Sequence, residues 1–482
     1  MHVEEGSVYD LQAKLYTPET LFQERIDRQR WVIFAPDFAG QPVVVSDRIQ
    51  SFLDSFRGGA VASSIIARDG DFVSALSAIT TLVERGFLRE VPTTLPYSVP
   101  SLRGKPRNIS VWLHITNSCN LTCAYCFVGE KSSDHMTNDV MQRVSRDIGQ
   151  TAKNSGIEQV DVKFAGGEPT LFVEGMERFR SMVSEQLNGS GVKLQFSVLS
   201  NGTLVTDRLL SFLKRPDTGI SISLDGYGVA HDTFRVFRSN QGSWEIISRN
   251  IKKLCEQGIR PYIMGTISEN TCHSLPDLVT WIYENGLRCR LSVVRQPNCS
   301  WGGSGRDEEF EAMNAQLAQA FDTAFAVLED PSVVIDLRVG FDLCELYFDR
   351  PTMGVPCGIG LNHLVIKPDG NMVSCPMTVA EKGISPDGDL LTTAGLTFRH
   401  SPNERYFVQE EEDCLHCKWF GVCSGGCPIT NLRITGHPFT RSPLCSFYKS
   451  VIPRYLRFFG RKLLQAEQKL PVEQPRALQA GS

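Results

Sequence analysis

The sequence predicts an α/β chain. Its middle is a partial barrel of six parallel strand–helix units, with a small hairpin-and-helix unit before it and a cysteine-rich region after it. Three observations carry this reading. From residue 109, six apolar, β-rich runs (ISVWLHIT, QVDVKFAGGEP, LQFSVLSNGT, GISISLDG, RPYIMGTIS, CRLSVVR) alternate with helical patterns such as DVMQRVSRDIGQTAKN and SWEIISRNIKKLCEQG. Such alternation favours parallel strands joined by right-handed crossovers, and six units make an incomplete barrel. The strand ends carry CNLTCAYC, GGEPT, SNGT and SLDG, and reactive residues belong at the C-terminal ends of barrel strands. None of the 15 cysteines precedes Cys119, and seven crowd between Cys357 and Cys445.

In chain order, residues 1–95 read as a winged-helix-like unit. RWVIFAPD and QPVVVSD form a hairpin, DRIQSFLDSFRGG a helix capped by Asp47 and stopped by glycine, and DFVSALSAITTLVERGFLREV a further helix. Residues 96–108, within the proline-rich PTTLPYSVPSLRGKP, are a linker. Residues 109–330 form the barrel and close on the helix DEEFEAMNAQLAQAFDTAFAVLED. Residues 331–350 bridge to a Gly-, Pro- and Cys-rich region, 351–447, with so little periodicity that metal is expected to hold it together. Residues 448–482 supply a basic amphipathic helix, read as packed on its neighbour, and a frayed tail.

A hydrophobic fraction of 41% and a net charge of −5 are those of an ordinary globular protein, so bulk charge gives no reason to expect nucleic acid. The acidic start MHVEEGSVYD has no apolar core of a secretory signal, and no apolar run is long enough to span a bilayer. A cytoplasmic location is expected, and there cysteines serve metal or redox chemistry more than disulfides. Cys255, Cys272, Cys289, Cys299 and Cys344 stand singly and are read as small buried apolar groups.

Cys119, Cys123 and Cys126 have the spacing C-x3-C-x2-C on the loop after the first barrel strand. Three thiols leave one position of a four-ligand metal site for something else. On a [4Fe–4S] cluster, that position is an iron open to a small chelating molecule, and a reducing cluster against a sulfonium could split a C–S bond to give a carbon radical. The competing reading is a zinc site completed by His114 or His135.

With Tyr125 beside the last cysteine and GGEPT at 166–170, the region 109–300 resembles the radical S-adenosylmethionine (AdoMet) superfamily. The resemblance implies an AdoMet-binding [4Fe–4S] cluster on the catalytic Cys119, Cys123 and Cys126, and cleavage to a 5′-deoxyadenosyl radical. It places Tyr125 in the cofactor set and Gly166, Gly167 and Glu168 at the methionine amino group. Ser200, Asn201, Ser223 and Asp225 fall near the ribose, and Arg235 at the AdoMet carboxylate.

The second array reads Cys357-x12-Gly370-x4-Cys375, then Cys414-x2-Cys417-x5-Cys423-x3-Cys427, then Cys445. Paired zinc ribbons would use some of this spacing, but the whole resembles the SPASM extension of radical AdoMet enzymes, which holds two auxiliary [4Fe–4S] clusters. The resemblance implies one cluster on Cys414, Cys417, Cys423 and Cys445, and another to which Cys357, Cys375 and Cys427 contribute. The latter's fourth ligand stays open between His363, Cys344 and none.

Residues 1–95 resemble the peptide-recognition element found on many peptide-modifying enzymes, whose hairpin edge accepts an extended leader by β-augmentation. A DNA-binding winged helix would need a basic recognition helix, and SALSAITTLVERGF is mostly apolar. The expected function is therefore oxidative cross-linking (thioether or carbon–carbon) of a ribosomally made precursor peptide, fed by an electron donor such as flavodoxin or ferredoxin. The alternatives are a formylglycine-type sulfatase maturase, a peptide epimerase, or a non-enzymatic Fe–S redox sensor. Pro376 stands where formylglycine-forming relatives carry an acidic residue, which weighs against the first of these. The barrel is expected to build its own site without residues 1–95.

Overall fold

The computed structural model describes residues 10–38, 40–69, 71–92, 106–129, 131–294, 307–333, 341–343, 346, 348, 357–397, 412–435, 438 and 440–469. Most of the expected linker and bridging segment, Cys299, Cys344 and the terminal tail lie outside the described residues.

The first unit runs β1 (Lys14–Leu15), β2 (Phe22–Arg25), β3 (Arg30–Phe34), β4 (Val43–Ser46), α1 (Asp47–Asp54), β5 (Ala60–Val61), α2 (Ala62–Asp69) and α3 (Phe72–Glu84). The expected hairpin is β3–β4, antiparallel with Trp31 opposite Val45, and β2 adds a third strand on its other side. Ser46, not Asp47, caps α1, its side chain accepting from the Ile49 amide; Asp47 is the first helical residue. Side chains alternate across a strand, and β3 is buried on both faces. Ile33 joins a local core with Leu15, Leu53, Phe56 and Ile79, whereas Val32 and Phe34 belong to the core of the rest of the molecule.

The central sheet contains β6 (Asn108–Thr116), β7 (Gln159–Gly166), β8 (Lys193–Ser200), β9 (Thr218–Ser223), β10 (Tyr262–Ile267) and β11 (Arg288–Val293), all parallel and in sequential order. The intervening helices are α4 (Asn138–Ser155), α5 (Val173–Leu187), α6 (Asp207–Leu213), α7 (Val229–Asp232), α8 (Trp244–Glu256) and α9 (Leu275–Glu284). α4 shows why such segments are helical. Thr137 caps its start, Gly156 ends it at φ 66°, and Met141, Val144, Ile148 and Ala152 form one buried stripe. Each strand turns alternate residues to these helices. On β6, Val111, Leu113 and Ile115 enter the main core, which leaves Ser110, Trp112, His114 and Thr116 facing inward.

Three short strands extend the sheet beyond the expected six. β12 (Phe341–Leu343) lies parallel to β11, β13 (His363–Ile366) parallel to β6, and β14 (Met372–Val373) forms a hairpin with β13. α10 (Asp307–Leu328) precedes β12. After β14 come α11 (Leu390–Thr397), α12 (Glu412–Leu415), α13 (Phe420–Cys423), α14 (Pro428–Thr435) and α15 (Cys445–Lys469). α15 begins earlier than the basic pattern suggested, and it buries Val451, Ile452, Leu456, Phe458 and Phe459 against α10 and the first unit's sheet. Lys462 on it donates to the carbonyls of Asp330 and Val333 just beyond α10. Among the described residues no helix is long and apolar enough to cross a membrane.

Candidate active site

The glycine pair at the end of β7 explains how two loops meet. Gly166 has φ 142°, and a Cβ there would stand 2.2 Å from the Thr116 carbonyl oxygen; a Cβ on Gly167 would stand 2.3 Å from that of Ser118. Without side chains, the Gly167 amide donates to Thr116 O at 2.8 Å and that of Glu168 to Ser118 O at 2.7 Å. The β7 loop is thereby fastened to the backbone that leads into Cys119.

Glu168 is fully buried. Its Oε1 accepts from the Thr170 amide, the Thr170 hydroxyl and Ser200 Oγ (3.0, 2.6 and 2.8 Å), and its Oε2 from the Asn201 amide at 2.6 Å. Four donors use the lone-pair directions of a carboxylate, so Glu168 ties the β7 loop to the β8 loop. Asn201 Nδ2 then reaches Asn120 Oδ1 at 2.8 Å and Cys119 Sγ at 3.9 Å.

The other side of the loop is held by Asp225 and Arg235. Asp225 Oδ2 accepts from Arg235 Nε at 2.5 Å and from the Tyr125 hydroxyl, and its Oδ1 from the Thr266 amide at 2.8 Å. Arg235 also sends Nη1 to within 3.8 Å of Cys123 Sγ. Burial opposes its charge, yet Asp225, Tyr125 and Cys123 together hold its pKa well above the ordinary range. Ser223 ends β9. Every AdoMet-site residue expected from the sequence thus lies at or beyond the C-terminal end of one of the first four barrel strands.

A relay outside the expected set positions Arg235. The Asp225 amide donates to His231 Nδ1 at 3.2 Å, which leaves Nε2–H facing Ser243 Oγ at 3.0 Å, and that hydroxyl donates to the Arg235 carbonyl at 2.7 Å. Burial drives the His231 pKa down to about 4, so the ring is neutral, as this relay requires. Its one trace in the sequence is the histidine of HDTFR.

The loop itself buries Cys119 and half-buries Cys123 and Cys126. Burial raises the Cys119 and Cys123 thiols; Arg235 and then Lys131 oppose this at Cys123. Buried thiols of this kind become thiolates when a cationic iron centre takes them as ligands. Of the histidines considered for a zinc site, His135 stacks on Phe172 at 4.3 Å and His114 is fully buried on the inward face of β6.

In the C-terminal region, Cys414, Cys417, Cys423 and Cys445 line one small cavity of about 20 Å3 with Trp419, Arg441 and Lys449. Burial raises the Cys423 thiol strongly, and the nearby Cys417, Cys414 and Cys445 push it further. Cys375 and Cys427 pack instead with Ile359, Ile429 and Met377, and Cys357 is exposed. The resemblance groups Cys357 with Cys375 and Cys427, and of these the last two share one packing cluster. His363 lies on β13 opposite Ser110. Of the single cysteines, Cys272 and Cys289 are buried and Cys255 is half-buried. Among the described residues, no three His, Cys, Asp or Glu side chains converge closely enough to hold a single metal ion.

A parallel partial barrel with three thiols and a Gly-Gly-Glu turn at its C-terminal end defines a class of enzyme that opens AdoMet on an iron–sulfur cluster. Residues 113–280 match the family model of the radical SAM superfamily, so the chain carries a radical SAM domain. It is 24% identical over 331 residues to a cysteine-type anaerobic sulfatase-maturating enzyme of Clostridium novyi, covering 65% of this chain and 85% of that one. It is 23% identical over 353 residues to the mycofactocin maturase MftC of Mycolicibacterium smegmatis, covering 70% and 82%. Among solved structures, anSMEcpe with bound AdoMet and Cp18Cys peptide aligns with a TM-score of 0.58 at 19% identity, over 75% of this chain and 99% of that one. SuiB of Streptococcus suis bound to precursor peptide SuiA aligns with a TM-score of 0.51 at 14% identity, over 89% and 99%. The expected partial-barrel fold is therefore the observed one.

Proposed function

We propose that this enzyme is a maturase of a ribosomally made precursor peptide, which it cross-links oxidatively through a thioether or carbon–carbon bond. The observation that carries this reading is a groove on the first unit. β4 is the outer strand of its sheet, and between it and α3 runs a cavity of about 580 Å3 lined by Val43, Val45, Ile49, Val73, Leu82 and Phe87. A free strand edge beside an apolar helix face is the geometry that accepts an extended peptide as an added strand. SuiB is described with a precursor peptide and anSMEcpe with a peptide and AdoMet, which supports a peptide substrate for this fold.

In this reading Cys119, Cys123 and Cys126 hold the AdoMet-binding [4Fe–4S] cluster. When bound, that cluster with AdoMet supplies a primary alkyl radical able to take hydrogen from an unactivated carbon. The chain's own residues do the rest. Gly166 and Gly167 let backbone approach the methionine end, while Glu168 orients Ser200 and Asn201 toward the ribose side. Ser223, Asp225 and Tyr125 border the same cleft, and Arg235 offers a guanidinium for a carboxylate. Closing a cross-link takes a further proton and electron from the substrate radical, and auxiliary [4Fe–4S] clusters, when bound, would supply an electron acceptor. Cys414, Cys417, Cys423 and Cys445 are assigned to one, and Cys357, Cys375 and Cys427 to the other. A small carrier of the flavodoxin or ferredoxin type completes the circuit. The division into residues 1–95, 109–330 and 351–447 follows these three tasks.

The test is mass spectrometry of a candidate precursor encoded beside the gene and co-expressed with the enzyme. Loss of two hydrogens, with fragmentation suppressed between two residues, is expected. An unchanged mass with an inverted stereocentre would replace this reading by epimerisation. A free aldehyde would favour formylglycine formation, the reaction type that the sulfatase-maturating relative suggests.

A further inference from the structure

The inward face of β6 carries a row of buried polar atoms with no hydrogen-bond partner among the described residues: Ser110 Oγ, Trp112 Nε1 and both ring nitrogens of His114. His114 is 1% exposed. Asn117 lies near enough to bias its charge, but no hydrogen bond of good geometry joins them. Buried polar groups are nearly always paired, so three such residues at alternate positions on one strand face mark a wall built against a polar ligand. Trp112 lies in register with Lys163 of β7.

Lys163 makes no ion pair among the described residues. Asp161, on the same face two residues earlier, accepts from Gln159 Nε2 at 2.7 Å. Burial lowers the Lys163 pKa, Asp161 opposes this, and Arg290 adds to it. Arg290 belongs to β11, four strands away in the sheet order, and its charge still acts on Lys163. Asp342 of β12 stands in register with Arg290, and His363 of β13, held neutral by burial with a pKa of about 4, stands opposite Ser110. The lumen thus offers an indole N–H, an ammonium, a hydroxyl and an imidazole. Among the described residues, the carboxylate beside Lys163 is that of Asp161, which accepts from Gln159.

A donor-rich wall around an ammonium without an ion pair suits a carboxylate. We propose that the barrel lumen below the three-cysteine loop binds a carboxylate of the substrate peptide, with Lys163 as its charge partner and Trp112 Nε1 and His114 as further donors. The inference rests on the peptide-maturase reading. The carboxylate comes from an Asp or Glu side chain or from a chain terminus.

Saturation-transfer NMR on the reconstituted holoenzyme with AdoMet tests this with three probes. N-acetylglutamate N-methylamide offers a side-chain carboxylate, N-acetylglutamine a terminal one, and N-acetylglutamine N-methylamide neither. One of the first two should bind saturably at least about tenfold more tightly than the neutral probe, and which one does so identifies the source. Lys163→Met should abolish the preference, Lys163→Arg should retain it, and Trp112→Phe should weaken it. Iron content and circular dichroism show whether each variant folds. Equal binding of all three probes, no saturable binding of either carboxylate, or a folded Lys163→Met enzyme that keeps the preference overturns the proposal. These binding data are independent of precursor processing, so failure here is distinguishable from failure of the maturase reading.

Discussion

At the scale of residues, the site depends on what two glycines lack. Replacing Gly167 by Ala would set a methyl 2.3 Å from the Ser118 carbonyl oxygen and 2.6 Å from that of Asn117. Both obstacles are backbone, so the β7 loop must lift off the cysteine loop. Gly167→Ala is expected to destabilise the protein by about 2–3 kcal/mol and to lower AdoMet cleavage by about a hundredfold or more. Gly156→Ala is the control: its φ of 66° strains an alanine, but open space surrounds its added Cβ, so it should cost about 1 kcal/mol and leave cleavage near normal. An assay of 5′-deoxyadenosine formation without peptide checks both. The sequence made the glycines legible, because Gly-Gly-Glu closed an apolar run. It did not reveal that Glu168 accepts from four donors of its own chain, or that His231 and Ser243 brace Arg235. Those contacts depend on loop paths that no periodicity encodes.

At the scale of elements, the first unit and the cysteine-rich region share a packed junction. Phe22 of β2 meets the Trp419 ring at 5.5 Å, and Trp419 also lines the cavity of Cys414, Cys417, Cys423 and Cys445. A Cβ on Gly421 would stand 2.1 Å from the Pro36 carbonyl oxygen, and Arg457 of α15 pairs with Glu24 of β2. Removing residues 1–95 should therefore spare AdoMet cleavage and leader-independent iron at Cys119, Cys123 and Cys126, yet disturb the four-cysteine cavity by uncovering Trp419 and one face of α15. Phe22→Ala isolates the effect. It should cost about 3 kcal/mol and cause partial loss of auxiliary iron, read by iron analysis and Mössbauer spectroscopy. Full auxiliary iron in the truncated enzyme would show that the cavity needs no such support. β3 was legible as a strand, but a one-sided β pattern could not announce that both of its faces are buried.

At the scale of the whole molecule, three assigned clusters predict about twelve irons per chain after anaerobic reconstitution. Replacing Cys119, Cys123 and Cys126 by Ala should remove about four of them. Stoichiometric zinc in place of iron would defeat the assignment. The fold also predicts acid sensitivity. Burial lowers the His114 and His231 pKa values to about 4 from 6.5. Between those limits the unfolded chain binds more protons than the folded one. Stability is therefore fully present above pH 6.5 and falls as pH drops toward 4, by about 2 kcal/mol per histidine at pH 5. Melting of the peptide-free enzyme from pH 7 to 5 should show this, and His231→Gln should flatten the slope. The six-strand barrel was legible because strand and helix periodicities alternate over long runs. β12, β13 and β14 were not, since two to four residues carry too little pattern to register.

One of those short strands bears on how the enzyme is made. β13 pairs with β6, joining residue 363 to residue 110, so the first barrel strand gains its second neighbour only after about 250 further residues have left the ribosome. Throughout that interval the three-cysteine loop hangs on a strand with one open edge, accessible to iron–sulfur carriers and to oxygen alike. A pause in translation between β12 and β13 would prolong that exposure.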